Sequence, residues 1–197
     1  VPTVIKANSG WTPIFRIVFT LPYDGVEPDG KPNNDNAEIR SIKINASSVS
    51  GFDPTVDLQS ALEGIAIFRD NGCSLNSPSS TDTLKWDGSS VETLLVGVST
   101  ATSWQMGSIT ISSFTIGDDF KMKAPSLIGG TSYYYGYYIA IRTSGNISNN
   151  DEFFFQLLPT NITVVNLYDQ TTIQNITQEK TKNIKADTVP PSIQFAF

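Results

Sequence analysis

Runs that alternate apolar with polar residues, or that string together β-branched and aromatic ones, recur along this whole chain, and each stops at residues that make turns. They cover Ile14 to Thr20, Glu38 to Ile44, Ile65 to Arg69, Val91 to Val98, Ser108 to Ile116, Tyr133 to Arg142, Phe153 to Leu158, Ile162 to Leu167 and Ser192 to Phe197. A period of two sends successive side chains to opposite faces, which suits a half-buried strand and no helix. Between the runs stand Pro22 to Gly25, Pro28 to Asp35, Asp70 to Gly72 and Trp86 to Gly88, rich in residues that preset a turn or tolerate positive φ. The pattern predicts an all-β chain, an antiparallel β-sandwich of jelly-roll or immunoglobulin-like type with about ten strands and at most one short helix. That helix is expected over Thr55 to Glu63, with Asp53 as cap, Pro54 at the first helical position and Leu58, Ala61 and Leu62 on one face. No fixed-period repeat or low-complexity linker divides the chain. Residues 8–197 are therefore expected to form one sandwich domain, preceded by an extended segment of residues 1–7.

The 197 residues are enough to bury a core without staples. Only 16% are charged, and Ser, Thr, Asn and Gly carry the polarity instead, as short strands and turns allow. Aromatic area offsets the chain entropy lost on folding, so disorder is excluded. A net charge of −6 without any basic run excludes nucleic acid as a partner. No stretch approaches the ~18 apolar residues of a membrane span. The single cysteine, Cys73, rules out an internal disulfide and leaves the redox compartment undefined. A start at Val1 without a charged and apolar leader is what signal-peptide removal leaves, and Asn45, Asn146, Asn161 and Asn175 each head an N-glycosylation sequon. Secretion to the extracellular side or cell surface, with glycans on those asparagines, is the expectation.

Histidine is absent, which removes Ser-His and Cys-His nucleophile pairs and imidazole metal sites together. A glycosidase needs two carboxyls facing each other across roughly 5–9 Å, whereas the adjacent pairs Asp118 and Asp119, and Asp151 and Glu152, point to opposite faces of a strand. No enzyme is expected. Calcium is the better site hypothesis, because a hard cation takes oxygen ligands from adaptable acidic loops. Asp24, Glu27, Asp29 and Asp35 share one turn-rich segment, and Asp70 and Asp82 bracket another. Solvated acidic loops that only make turns would have the same composition. The run Tyr133 to Tyr138 offers rings for stacking a sugar, but alternation divides it. Tyr133, Tyr135 and Tyr137 are expected on one face feeding a core, and Tyr134 and Tyr138 on the other, toward a partner surface. Trp11, Trp86 and Trp104 are expected as core or interface anchors.

The segments Gly64–Gly72 (GIAIFRDNG) with Ser80–Leu84 (STDTL), and Tyr137–Thr143 (YYIAIRT) with Ile147–Phe153 (ISNNDEF), resemble a pattern of large secreted prokaryotic β-proteins. In those proteins the first element is a calcium-associated loop; here Cys73, Ser74 and Leu75 stand where acidic residues are expected. With its size, sequons and strand-like ends, the chain also resembles subunits of archaeal extracellular filaments, the threads and tubular cannulae, and more distantly bacterial biofilm fibre proteins. That resemblance implies a sandwich polymerised with copies of itself by donor-strand complementation, with calcium at subunit contacts. The physics is independent of it: a sandwich lacking a strand exposes unpaired amides and an apolar groove, which an extended end of the next copy satisfies. Val1, Thr3 and Ile5 would face the groove, with Val4 and Lys6 outward; the alternative is that residues 1–7 pair within their own sheet. A second reading is an adhesin-like or carbohydrate-binding module of a larger surface protein, suggested by the linker-like Ala186 to Ile193.

Overall fold

The computed structural model describes residues 3–21, 36–48, 54–99, 108–112, 120–125, 132–149, 151–167, 170–172 and 180–186. In chain order its elements are β1 (Thr3–Ile5), β2 (Thr12–Leu21), β3 (Ala37–Ser48), α1 (Pro54–Ala61), β4 (Leu62–Arg69), β5 (Thr93–Ser99), β6 (Ser108–Ser112), β7 (Lys121–Met122), β8 (Tyr133–Thr143), β9 (Glu152–Leu157), β10 (Ile162–Asn166) and β11 (Lys180–Ala186). They form a seven-stranded sheet, whose main path is β1-β11-β9-β3-β10, and a four-stranded sheet ordered β2-β8-β4-β5. Pairings are antiparallel except β1 with β11. Strand β3 organises the larger sheet. Asn45 pairs with Gln156 of β9 on one side and Ser108 of β6 on the other, and Ala37 with Asn166 of β10 and Met122 of β7. Thus β9 and β10 run end to end along one edge of β3, separated by the 3-10 turn Pro159–Asn161.

The fold is the expected all-β sandwich with one short helix. Its apolar sets stay on the core face where the alternation breaks, because bulges absorb the odd residue. In β3, Ala37 and Ile39 and then Ile42, Ile44 and Ala46 are buried; the pairing steps from Ser41 to Ile39 opposite Thr163 and Val164, leaving Arg40 as the extra residue. Pro13 and Phe15 likewise pair consecutively with Ala140 and Ile139, so that Ile14 and Phe15 are both buried. One apolar core spans both sheets, joining Ile39, Ile42, Ile44, Phe153 and Phe155 to Ile65, Ile67, Tyr135, Tyr137, Ile139 and Ile141. Phe120 stacks on Tyr137 within it at 6.2 Å.

One expectation needs correction, and one strand was not anticipated. The helix ends at Ala61 and not at Glu63, since Leu62 and Gly64 are already paired with Thr143 and Arg142 of β8, and a sheet position outcompetes the last turn of so short a helix. Lys180–Ala186, polar and unmarked by its composition, is a strand because β9 pairs with it from Lys180 to Lys185. The cap Asp53, the end of the Ser108 to Ile116 run and the run Ser192 to Phe197 lie outside the described residues.

Candidate functional site

The first described residues form an edge strand. Thr3, Val4 and Ile5 lie parallel to Ile184, Lys185 and Ala186 of the same chain, with Ile5 buried and Val4 57% exposed. A parallel neighbour cannot be reached through a hairpin, and here the whole sandwich lies between β1 and β11 in sequence, the chain leaving β1 directly for the other sheet. That passage is pinned by Thr143 at the end of β8, a buried residue whose Oγ1 donates to the Lys6 carbonyl (2.6 Å) and accepts from the Ser9 amide (3.0 Å). Asn8 turns the chain there with φ 51° and donates its amide to the Ser144 carbonyl. Of the expected assembly residues, Thr3, Val4 and Ile5 are thus paired within their own chain; Val1 lies outside the described residues.

The loop after β4 is the second candidate. Asp70 is buried; its Oδ2 accepts from the Tyr138 hydroxyl (2.6 Å) and its Oδ1 from the Gly72 amide (2.8 Å). Burial, and then the Asp70 carboxylate, push the Tyr138 phenol up. Glu92, also buried, accepts from the Asn71 and Asp87 amides with its two oxygens (2.8 and 2.9 Å), and burial raises its carboxyl despite those bonds. Cys73 fills the space beneath the turn, its Sγ accepting from the Gly136 amide at 3.3 Å, and burial pushes the thiol up to about 11. Asp82 is exposed and pairs with Arg16. The two proposed calcium ligands of this loop therefore take separate partners, and the acid that shares the turn with Asp70 is Glu92, far off in sequence. Among the described residues no three or more His, Cys, Asp or Glu side chains gather where they could hold a metal ion. Asp24, Glu27, Asp29 and Asp35 lie outside the described residues.

The outer face of the four-stranded sheet carries an aromatic cluster. Phe68 and Tyr138 are cross-strand partners there, beside Ala66 and Ala140, with Trp11 and Trp86 half-buried against them. Trp86 stands edge-on to Phe68 and Tyr138 at 5.1 and 5.3 Å between centroids, and Trp11 edge-on to Phe68 at 5.8 Å. The Arg142 guanidinium lies 5.2 Å over the Trp11 ring and donates to Glu63 (2.8 Å). Tyr135 and Tyr137 belong to the core and Tyr138 to this outer face, as alternation requires; Trp104 lies outside the described residues.

No protein-family model matches the chain, and no curated protein matches it. Among solved structures, the Hadza microbial sialidase Hz136 aligns with 93% of this chain at a TM-score of 0.46 and 10% identity. The chain spans 30% of that sialidase chain. A likeness of that size decides neither fold nor activity.

The sequons fall in different settings. Asn45 sits inside β3, Asn146 is exposed in the turn after β8, and Asn161 closes the 3-10 turn; Asn175 lies outside the described residues. Among the described residues no helix is long and apolar enough to cross a membrane. Sequence reasoning missed Glu92 and the pinning role of Thr143. Neither carries a local signal, since each acts on amides or carbonyls that only the fold brings near.

Proposed function

We propose that this chain is the structural subunit of an extracellular filament or tubule, joined to the next copy by exchange of β1. The seat of β1 carries this reading: three residues, parallel to β11 at the outer end of the larger sheet, with Ile5 in the core. A short edge strand whose onward connection leads to the other sheet can occupy the same seat in another copy, making the same ladder bonds and burying the same side chain. Head-to-tail exchange need not close, and repetition yields a polymer. The acidic residues Asp24, Glu27, Asp29 and Asp35 are the proposed calcium ligands at subunit contacts. No catalytic activity is proposed, because histidine is absent and the buried acids Asp70 and Glu92 are already engaged by Tyr138 and by amides.

Negative-stain electron microscopy of the chain with calcium and with a chelator, beside a variant lacking residues 1–7, tests this. Ordered filaments or tubes are expected from the full chain alone, with a synthetic peptide of residues 1–7 binding the shortened variant. A monomer in every condition overturns the reading.

The outer aromatic face favours a second reading, a carbohydrate-binding module. Half-buried Trp11 and Trp86, with the Arg142–Glu63 pair beside Trp11, offer ring surface and hydrogen-bonding groups of the kind sugars meet. Tryptophan fluorescence titrated with a panel of oligosaccharides, repeated on Trp86→Ala, separates this from the first reading.

A further inference from the structure

We propose that Asn146 is the N-glycan acceptor of the folded chain and that Asn45 and Asn161 are not acceptors. The three sequons are alike in sequence and differ in what the fold does with the amide nitrogen that must react. Asn146 lies exposed in the connection between β8 and β9, and Ser148, which completes its sequon, is exposed too. Ile147 between them is buried and holds the turn against the core, so both polar side chains point away from it. The Asn146 backbone N–H donates to the Ser144 hydroxyl and the Ser148 backbone N–H to the Asp151 carboxylate, bonds internal to the turn that leave the asparagine side chain outside.

Asn161 is placed oppositely. Its Nδ2 is buried and finds no hydrogen-bond partner among the described residues, and the hydroxyl of its sequon threonine, Thr163, bonds to Ser41 across the strand pair. A sugar on that nitrogen would have to occupy space the protein fills. Asn45 is held by the ladder on both edges, opposite Gln156 on one side and Ser108 on the other. A transferase must draw the sequon into its own cleft, and a central strand can follow only by giving up those bonds.

The reaction uses a polyisoprenyl phosphate-linked oligosaccharide as donor. The bond between the anomeric carbon and the phosphate oxygen breaks, its electron pair leaving with the phosphate. A bond forms from Asn146 Nδ2 to that carbon, and one amide proton passes to a base of the transferase. The proposal rests on the extracellular reading only for the compartment in which transfer occurs, and acceptor geometry is independent of polymerisation.

A purified oligosaccharyltransferase and lipid-linked oligosaccharide, applied to the folded chain carrying Asn175→Gln, test it by intact mass and peptide mapping. One glycan at Asn146 is expected, and none on folded Asn146→Gln or Ser148→Ala chains whose circular dichroism matches the parent. Synthetic peptides of residues 40–50 and 156–168, which hold the other sequons without the fold, are expected to be modified. A glycan at Asn45 or Asn161 of the folded chain overturns the proposal, as does a folded chain left bare while a peptide of residues 140–152 is modified. Unreactive 40–50 and 156–168 peptides overturn it as well, because local sequence and not the fold would then be selecting.

Discussion

At Gly136 the β4–β5 loop packs tightly on the sheet. Its carbonyl accepts from the Asp70 amide and its own amide donates to Cys73, while Leu84 lies directly over it. A Cβ there would stand 3.0 Å from Leu84 Cδ1 and 3.2 Å from Asp70 Cβ, one of them a side chain fixed by its bonds to Tyr138 and Gly72. Gly136→Ala is therefore expected to lower stability by roughly 1–3 kcal/mol in urea unfolding, the usual cost of overpacking. Cys73 beneath it gives a pH signature. Its thiol is raised in the folded chain from 9.0 to about 11, so its contribution is complete below pH 9 and is lost as pH rises through about 11. At ~1.4 kcal/mol per unit the loss reaches roughly 3 kcal/mol, and comparison of the parent with Cys73→Ala across that window isolates it. The same protonated, buried thiol should resist iodoacetamide at pH 8 until the chain is unfolded.

Strand β1 is held by its ladder with β11, by the burial of Ile5, and by the hydrogen bonds that Thr143 and Ser144 make to Lys6, Ser9 and Asn8. The ladder is short, so the pins add to how seldom the strand leaves its seat. Thr143→Val keeps the shape and removes all three hydrogen bonds of the hydroxyl, to the Lys6 carbonyl, the Ser9 amide and the Ser9 hydroxyl. Hydrogen exchange is expected to speed up at residues 4–9 while the amides of β8 between Tyr135 and Ile141 keep their protection; equal acceleration of both would mean that the pins serve β8 and not the segment. The strands themselves were legible from their alternation, and β2, β4, β8 and β9 form where it pointed. Strand β11 was not, because a sequence such as KTKNIKA carries no apolar periodicity and becomes a strand only through the edge β9 presents.

The two sheets share one core, so they are expected to unfold together. Far-ultraviolet circular dichroism, which reads both sheets, and tryptophan fluorescence, which for Trp11 and Trp86 reads the outer face of one, should give coincident urea transitions; separated midpoints would mean that the sheets are independent units. At this scale the division between sequence and structure has a physical cause. The sequence by itself determined what depends on neighbours along the chain: the strand periods, the turn residues, the two faces of the Tyr133 to Tyr138 run, and the chemistry removed by having no histidine. Only the tertiary structure decided what depends on residues far apart in sequence. It seated β1 beside β11, gave Asp70 to Tyr138 and Asp82 to Arg16, and put Glu92 under the turn at Asn71. It also separated three like sequons into an exposed turn, a central strand and a buried amide. Periodicity is a property of a segment, whereas a partner across a sheet is chosen by register and burial that no segment carries alone.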